Sequence, residues 1–168
     1  MARTDSDDTP MNLTAAALGW VFPGLGHFVL GQVRRGVLAG AGVLLLFFGG
    51  LLVGGIDAVD RKEDNLWFIG QAGAGPIAFV ASYANEASLK SGRHGELLPM
   101  PTPYGTPIDP ASPRPTVSTS KGLAHANEFG TFFTFLAGLM NFVVILDALQ
   151  RRRDEPDGER RKEAGAAA

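Results

Sequence analysis

Four stretches of this chain contain no charged side chain, and that segregation constrains its fold more than any average property. Asp, Glu, Lys and Arg are absent from Thr9 to Val33, from Gly36 to Ile56, from Leu66 to Asn85 and from Phe129 to Leu146. A helix bordering water needs a polar face, so windows this long and this apolar require another solvent. Composition alone hides the pattern. The 168 residues are 45% apolar and 19% charged with a net charge of −2, because the charges collect in the tails and connecting segments. That near-neutral balance gives no broad attraction for nucleic acid. The chain has no cysteine, which excludes disulfides and thiolate chemistry. The start, MARTDSDDTP, has three Asp against one Arg. It lacks the basic n-region of a secretory signal, so the first apolar stretch reads as a retained span behind an acidic tail.

A helix rises ~1.5 Å per residue and the hydrocarbon core is ~30 Å thick, so about 20 apolar residues are needed to cross. Three windows meet that requirement directly. Residues 36–56 form an uncharged run of Gly, Leu, Val and Phe. Residues 66–84 carry Trp67 near one end and Tyr83 near the other, where interfacial aromatics belong. Residues 129–149 are closed by Arg151, Arg152 and Arg153. The window 11–33 is also long enough, but it contains Pro23-Gly24-Leu25-Gly26-His27. Proline removes a backbone donor, so a kink or break is expected near Phe22. Either this window is a kinked span, or residues 11–22 dip in and turn back, which needs protein or water to satisfy the exposed backbone. The kinked span is preferred.

The expected fold is therefore an all-α membrane bundle of four helices, spanning 11–33, 36–56, 66–84 and 129–149. This membrane domain, 11–150, lies between an acidic tail (1–10) and a charged tail (151–168). Seven of the eleven prolines fall between Pro99 and Pro115, so 90–122 reads as an extended, water-exposed connector. In the four-span arrangement the N-tail, the 57–65 loop and the C-tail carry nine Lys and Arg against six on the other side. Both termini are thereby placed in the cytoplasm of a multi-pass protein of the inner cell membrane.

Glycine is the most informative residue, with 11 of 22 between Gly19 and Gly55. Lipid tails are as apolar as leucine, so helices in a bilayer associate through close backbone approach at small residues four apart. Gly36 and Gly40, Gly50 and Gly54, and Ala74 and Ala78 have that spacing. Packing inside the bundle is the simplest reading, with a second copy or another membrane protein as the alternative.

His27 is the only histidine within a predicted span. Its simplest role is a neutral imidazole bonded to a carbonyl that Pro23 leaves free; a proton-relay or metal role is the alternative. Asn85-Glu86 closes the third predicted span and His125-Ala126-Asn127-Glu128 opens the fourth. Four spans put both Asn-Glu pairs at one membrane face, with His27 beside them. Such a cluster of His27, Glu86, His125 and Glu128 could hold a divalent cation or pass a proton. Carboxylates meeting water at the interface are the simpler account, with Glu128 also favourable at a helix N-terminus. Asn141 and Gln71 fit hydrogen bonds between helices, and Asp147, near the same edge as Asp57 and Arg151, fits capping or pairing with arginine. The acidic loop of Asp57, Asp60, Glu63 and Asp64 lacks EF-hand spacing and reads as a solvated turn. HExxH, GxSxG and Walker motifs are missing. GQAGAG at Gly70 to Gly75 follows no strand and is no dinucleotide fingerprint. No catalytic residue, cofactor or metal ligand is assigned.

The string Pro23-Gly24-Leu25-Gly26-His27-Phe28, followed by Gly31-Gln32 and Arg34-Arg35-Gly36, resembles the first-hairpin signature of TM2-like proteins. With Ala137 to Asn141 and Leu146 to Ala148 it is also similar to an uncharacterised bacterial family of small polytopic membrane proteins, a domain-of-unknown-function group. Val29 stands where TM2 proteins commonly have an aromatic pair, and this chain has more predicted spans. The resemblance implies a membrane protein without an established activity. The expected role is that of a structural or accessory subunit, not an enzyme, whose surroundings are the lipid bilayer and either a second copy or other membrane proteins, with no nucleic acid. The rivals are an oligomeric transporter or channel component, and a membrane-embedded metal-dependent enzyme using Glu86, Glu128 and His125.

Overall fold

The computed structural model describes residues 11–62, 64–91, 96–99, 116–118 and 125–151. These are mostly helical. Two helices are long and apolar enough to cross a bilayer: α3 (Val33–Gly54) and α6 (His125–Gln150). They pack antiparallel. Gly54 lies against Ala126 and Gly130, Gly50 against Gly130 and Thr134, and Gly42 against the Met140 side chain.

The other two predicted spans are not continuous helices, so two helices of crossing length stand where four were expected. The first window breaks where Pro23 forbids the next helical hydrogen bond. α1 (Leu13–Val21) starts at Asn12, whose Oδ1 accepts from the Ala15 N–H at 3.1 Å. It ends at the extended residue Phe22, and α2 (Leu25–Val29) follows. Between them Gly24 has φ +85°, a left-handed conformation that favours glycine. A Cβ there would also run into the Gly36 carbonyl. α2 folds back along α1. At the start of α1 the Asn12 N–H donates to Leu149 O at 2.8 Å, while α2 brings His27 to Asp147 at 2.9 Å. Both arms therefore belong to the same end of α6, and 11–33 is a helical hairpin broken at Pro23-Gly24.

The window 66–84 does the same from the opposite end. α4 (Asn65–Gln71) passes through a short 3₁₀ turn, Ala72–Ala74, to Gly75 at φ +95°. Pro76 then opens α5 (Pro76–Asn85), its missing N–H harmless at a first helical position. The Phe68 and Phe79 rings stack edge to face at 5.1 Å across the two arms. α5 returns to the level of the 57–61 segment, where Ser82 Oγ accepts from the Arg61 N–H at 3.3 Å. Trp67 and Tyr83 accordingly share one end of the molecule instead of marking two. A π-helical turn, Glu86–Lys90, continues α5.

The chain thus contains the same order twice: a helical hairpin, then a long helix. The second copy runs opposite to the first. The apolar core joins Val43 and Phe47 of α3 with Val59, Phe68, Ala74, Ala78, Ala81 and Ala137. Within the proline-rich connector, β1 (Leu97–Pro99) pairs antiparallel with β2 (Thr116–Ser118). Most of that connector, Glu63, and both tails lie outside the described residues.

Candidate functional site

Three polar centres stand out, one where the hairpin tips meet and one at each end. The middle centre follows from the two prolines. In an uninterrupted helix the Gly19 carbonyl would accept from residue 23 and the Ala72 carbonyl from residue 76, but both positions are proline and have no N–H. Asn141, fully buried on α6, donates Nδ2 to Gly19 O at 3.2 Å and to Gly73 O at 2.9 Å. The Trp20 indole donates Nε1 to Ala72 O at 3.1 Å, shared with the Gly75 N–H. One side-chain amide and one indole therefore tie the two tips together. Close approach is possible because Gly75 meets the Trp20 carbonyl and Gly73 meets the Gly138 backbone. The carbonyl freed by Pro23 belongs to Asn141, which corrects the simplest role expected of His27.

His27 instead belongs to one end. It is 2% exposed, and its Nε2–H donates to Asp147 Oδ2 at 2.9 Å, the ionised carboxylate being the acceptor. Arg151, one turn further along, donates Nε to the same oxygen at 2.8 Å. Nδ1 of His27 is buried and unpartnered. Arg34 and Arg35, both exposed, open α3 beside this group. α3 and α6 are antiparallel, so Asp57 stands at the far end and not near Asp147.

At that far end Asp57 is buried, as is Asp60, so the loop expected to be a solvated turn is partly interior. Asp57 accepts from Asn85 Nδ2 at 3.4 Å and from Asn127 Nδ2 at 3.3 Å. Asn85 also donates to Val59 O at 3.3 Å, and Asp60 pairs with Lys90. Deeper in, Gln71 donates Nε2 both to Ala58 O and to Thr134 Oγ1, each at 2.8 Å.

The two Asn-Glu pairs are thus brought together through their amides and not through their carboxylates. Glu86 pairs with Lys62 at 3.1 Å, and Glu128 with His125 at 3.2 Å on its own exposed turn. His27 is far from both, at the other end of a helix ~39 Å long. Among the described residues no group of three or more His, Asp or Glu could hold a metal ion. Trp20 and Pro76 were not singled out from the sequence. Their signal was the Gly-Pro or Pro-Gly step at the midpoint of each apolar window.

The glycines expected to pack helices are consumed within the chain. Gly36 lies against Phe28 and the Gly24 carbonyl, Gly40 against the Pro23 carbonyl, and Gly50 and Gly54 against α6.

The fold and its centres define a class: a mostly helical chain in which two long apolar helices frame two hairpins that meet tip to tip. The chain belongs to DUF6677, a family of unknown function whose model matches residues 14–160. No curated protein matches it, and no solved structure does.

Proposed function

We propose that this chain is a small integral membrane protein that crosses the bilayer twice, through α3 and α6. The two hairpins enter from opposite faces and meet near the middle. Its role is structural or accessory, as a component that other membrane constituents pack against, and not enzymatic. The observation that carries the membrane reading is reversed polarity. Gln71 is 1% exposed and Asn141 fully buried, while Leu45 is 73% and Leu52 86% exposed on the outer surface of α3. In water that arrangement would be costly on both counts; in hydrocarbon it is the favoured one. Because Gly36, Gly40, Gly50 and Gly54 are used internally, a second copy or a partner would have to meet the exposed leucine and phenylalanine faces.

This topology also suits the basic residues. Arg3, Arg34, Arg35 and the six from Arg151 to Lys162 fall on one side, against Arg61, Lys62, Lys90, Arg93, Arg114 and Lys121 on the other. The nine-to-six excess supports a reading with both termini in the cytoplasm of the inner membrane.

The chain has no cysteine, so single-cysteine labelling from either side of sealed vesicles is a clean test. S6C, R34C and G158C are expected to label from one side, D64C and S91C from the other. Labelling of R34C opposite to S6C would restore the four-span arrangement and defeat this one.

Transport is the second reading. Broken helices meeting end to end in oppositely oriented repeats are a recurrent way of building substrate sites at mid-membrane. The buried amide oxygens of Gln71, Asn85, Asn127 and Asn141 have no partner among the described residues. Proteoliposomes carrying pH- and K⁺-sensitive dyes separate the readings: flux above protein-free vesicles favours transport, and its absence the accessory role.

A further inference from the structure

We propose that the His27 end of the molecule holds an anionic phospholipid, its phosphate on Arg34 and Arg35 and an acyl chain in the furrow between α3 and α6. This rests on the membrane reading above. Two adjoining cavities carry it. One, about 580 Å³, is a polar cup formed by the 31–35 turn, including Arg34 and Arg35, and by Arg151. The other, about 420 Å³, has apolar walls of Leu38 and Ala39 on α3 and Val143 and Val144 on α6. Arg35 and Arg151 line both, so the cup opens into the furrow. Volumes of this size accommodate small-molecule ligands.

Charge selects the occupant. Asp147 is the carboxylate lining the furrow, and it is engaged by His27 and Arg151. Arg34 and Arg35 form no ion pair with any described residue. A cationic cup leading into an apolar furrow on the outer surface matches one ligand chemistry, an anion carried on a hydrocarbon chain. Basic pockets between membrane helices recognise lipid headgroups in this way. Phosphatidylglycerol carries the anion and the hydrocarbon chains without a cationic headgroup, so it is the probe of choice.

The test uses full-length protein in neutral detergent micelles doped with phosphatidylglycerol or phosphatidylcholine, with retained lipid measured by native mass spectrometry. Wild type is expected to prefer phosphatidylglycerol, and R34Q/R35Q to lose about 30-fold of that preference, from ~1 kcal/mol per basic residue. A39W, which fills the furrow and leaves both arginine charges in place, is expected to lower phosphatidylglycerol retention as well. Wild type without a preference overturns the proposal, as does a preference kept by R34Q/R35Q. Displacement of the lipid by glycerol 3-phosphate at matching concentration would mean a headgroup cup alone, and that too overturns it. In each of these cases a chain that still requires detergent leaves the membrane reading standing. A chain that stays dispersed without detergent overturns both.

Discussion

The long helices and the hairpins solve one problem by different means. α3 and α6 run for 22 and 26 residues without a break, keeping their backbone hydrogen bonds to themselves. They approach each other by removing side chains, with Gly50 and Gly54 set against Gly130. The hairpins turn at Pro23-Gly24 and at Gly75-Pro76, and each turn releases carbonyls that its own helix cannot satisfy. Asn141 and Trp20 supply donors to those carbonyls from outside, with Ala72 O also accepting from the Gly75 N–H. The long helices are held by shape, whereas the hairpins are held by shape and by donors that a few residues supply.

Substitutions can break this contrast in graded steps, each read as a shift in the denaturation midpoint of detergent-solubilised protein. The largest effect is expected where a hairpin touches a long helix. Gly138→Val would drive a side chain into the Gly70 carbonyl and Gln71, costing about 3 kcal/mol by overpacking and separating α4 from α6. If G138V matched wild type, the seating of the second hairpin on α6 would be wrong.

Next comes Asn141→Leu, which keeps the branched shape and removes the donor shared by Gly19 O and Gly73 O. Two buried carbonyls left without it should cost about 2–4 kcal/mol, and Trp20→Phe about 1 kcal/mol, since Ala72 O retains the Gly75 N–H. Equal losses for N141L and W20F would show that the two tips are not distinguished in this way. Smallest of all is Gly49→Ala on α3, where a Cβ meets nothing within 4 Å. It should be neutral or stabilising by up to about 1 kcal/mol through helix propensity. A clear destabilisation by G49A would reveal a contact on that face of α3.

The same contrast explains what could be read from the residues. α3 and α6 were recognisable because an uninterrupted apolar window has few alternatives. The family resemblance rested on the Pro23–Gly36 string together with Ala137–Asn141 and Leu146–Ala148, and the match over residues 14–160 gives the chain its place in a family of unknown function. The hairpins were hidden by length. Two short apolar arms joined by a tight turn contain as many residues as one crossing, so hydropathy counts them alike. Gly75-Pro76 was the overlooked signal, since a break there mirrors the one at Pro23-Gly24. The amide clusters were half visible: Asn85 and Asn127 do converge, but on Asp57, which seemed an ordinary loop acid because its burial depends on chain segments far away in sequence.

The first hairpin's partners on α6 are late. Asn12 bonds to Leu149, Gly19 to Asn141 and His27 to Asp147, each separated by more than a hundred positions. At synthesis rates of ~5–20 residues per second, the hairpin leaves the ribosome roughly 6–25 seconds before α6 exists to receive it. Until then the Gly19 carbonyl and the His27 imidazole lack these partners, and the hairpin has only α3 and the 72–75 turn to rest on. The bonds that seat the earliest-made segment on α6 are therefore among the last to form.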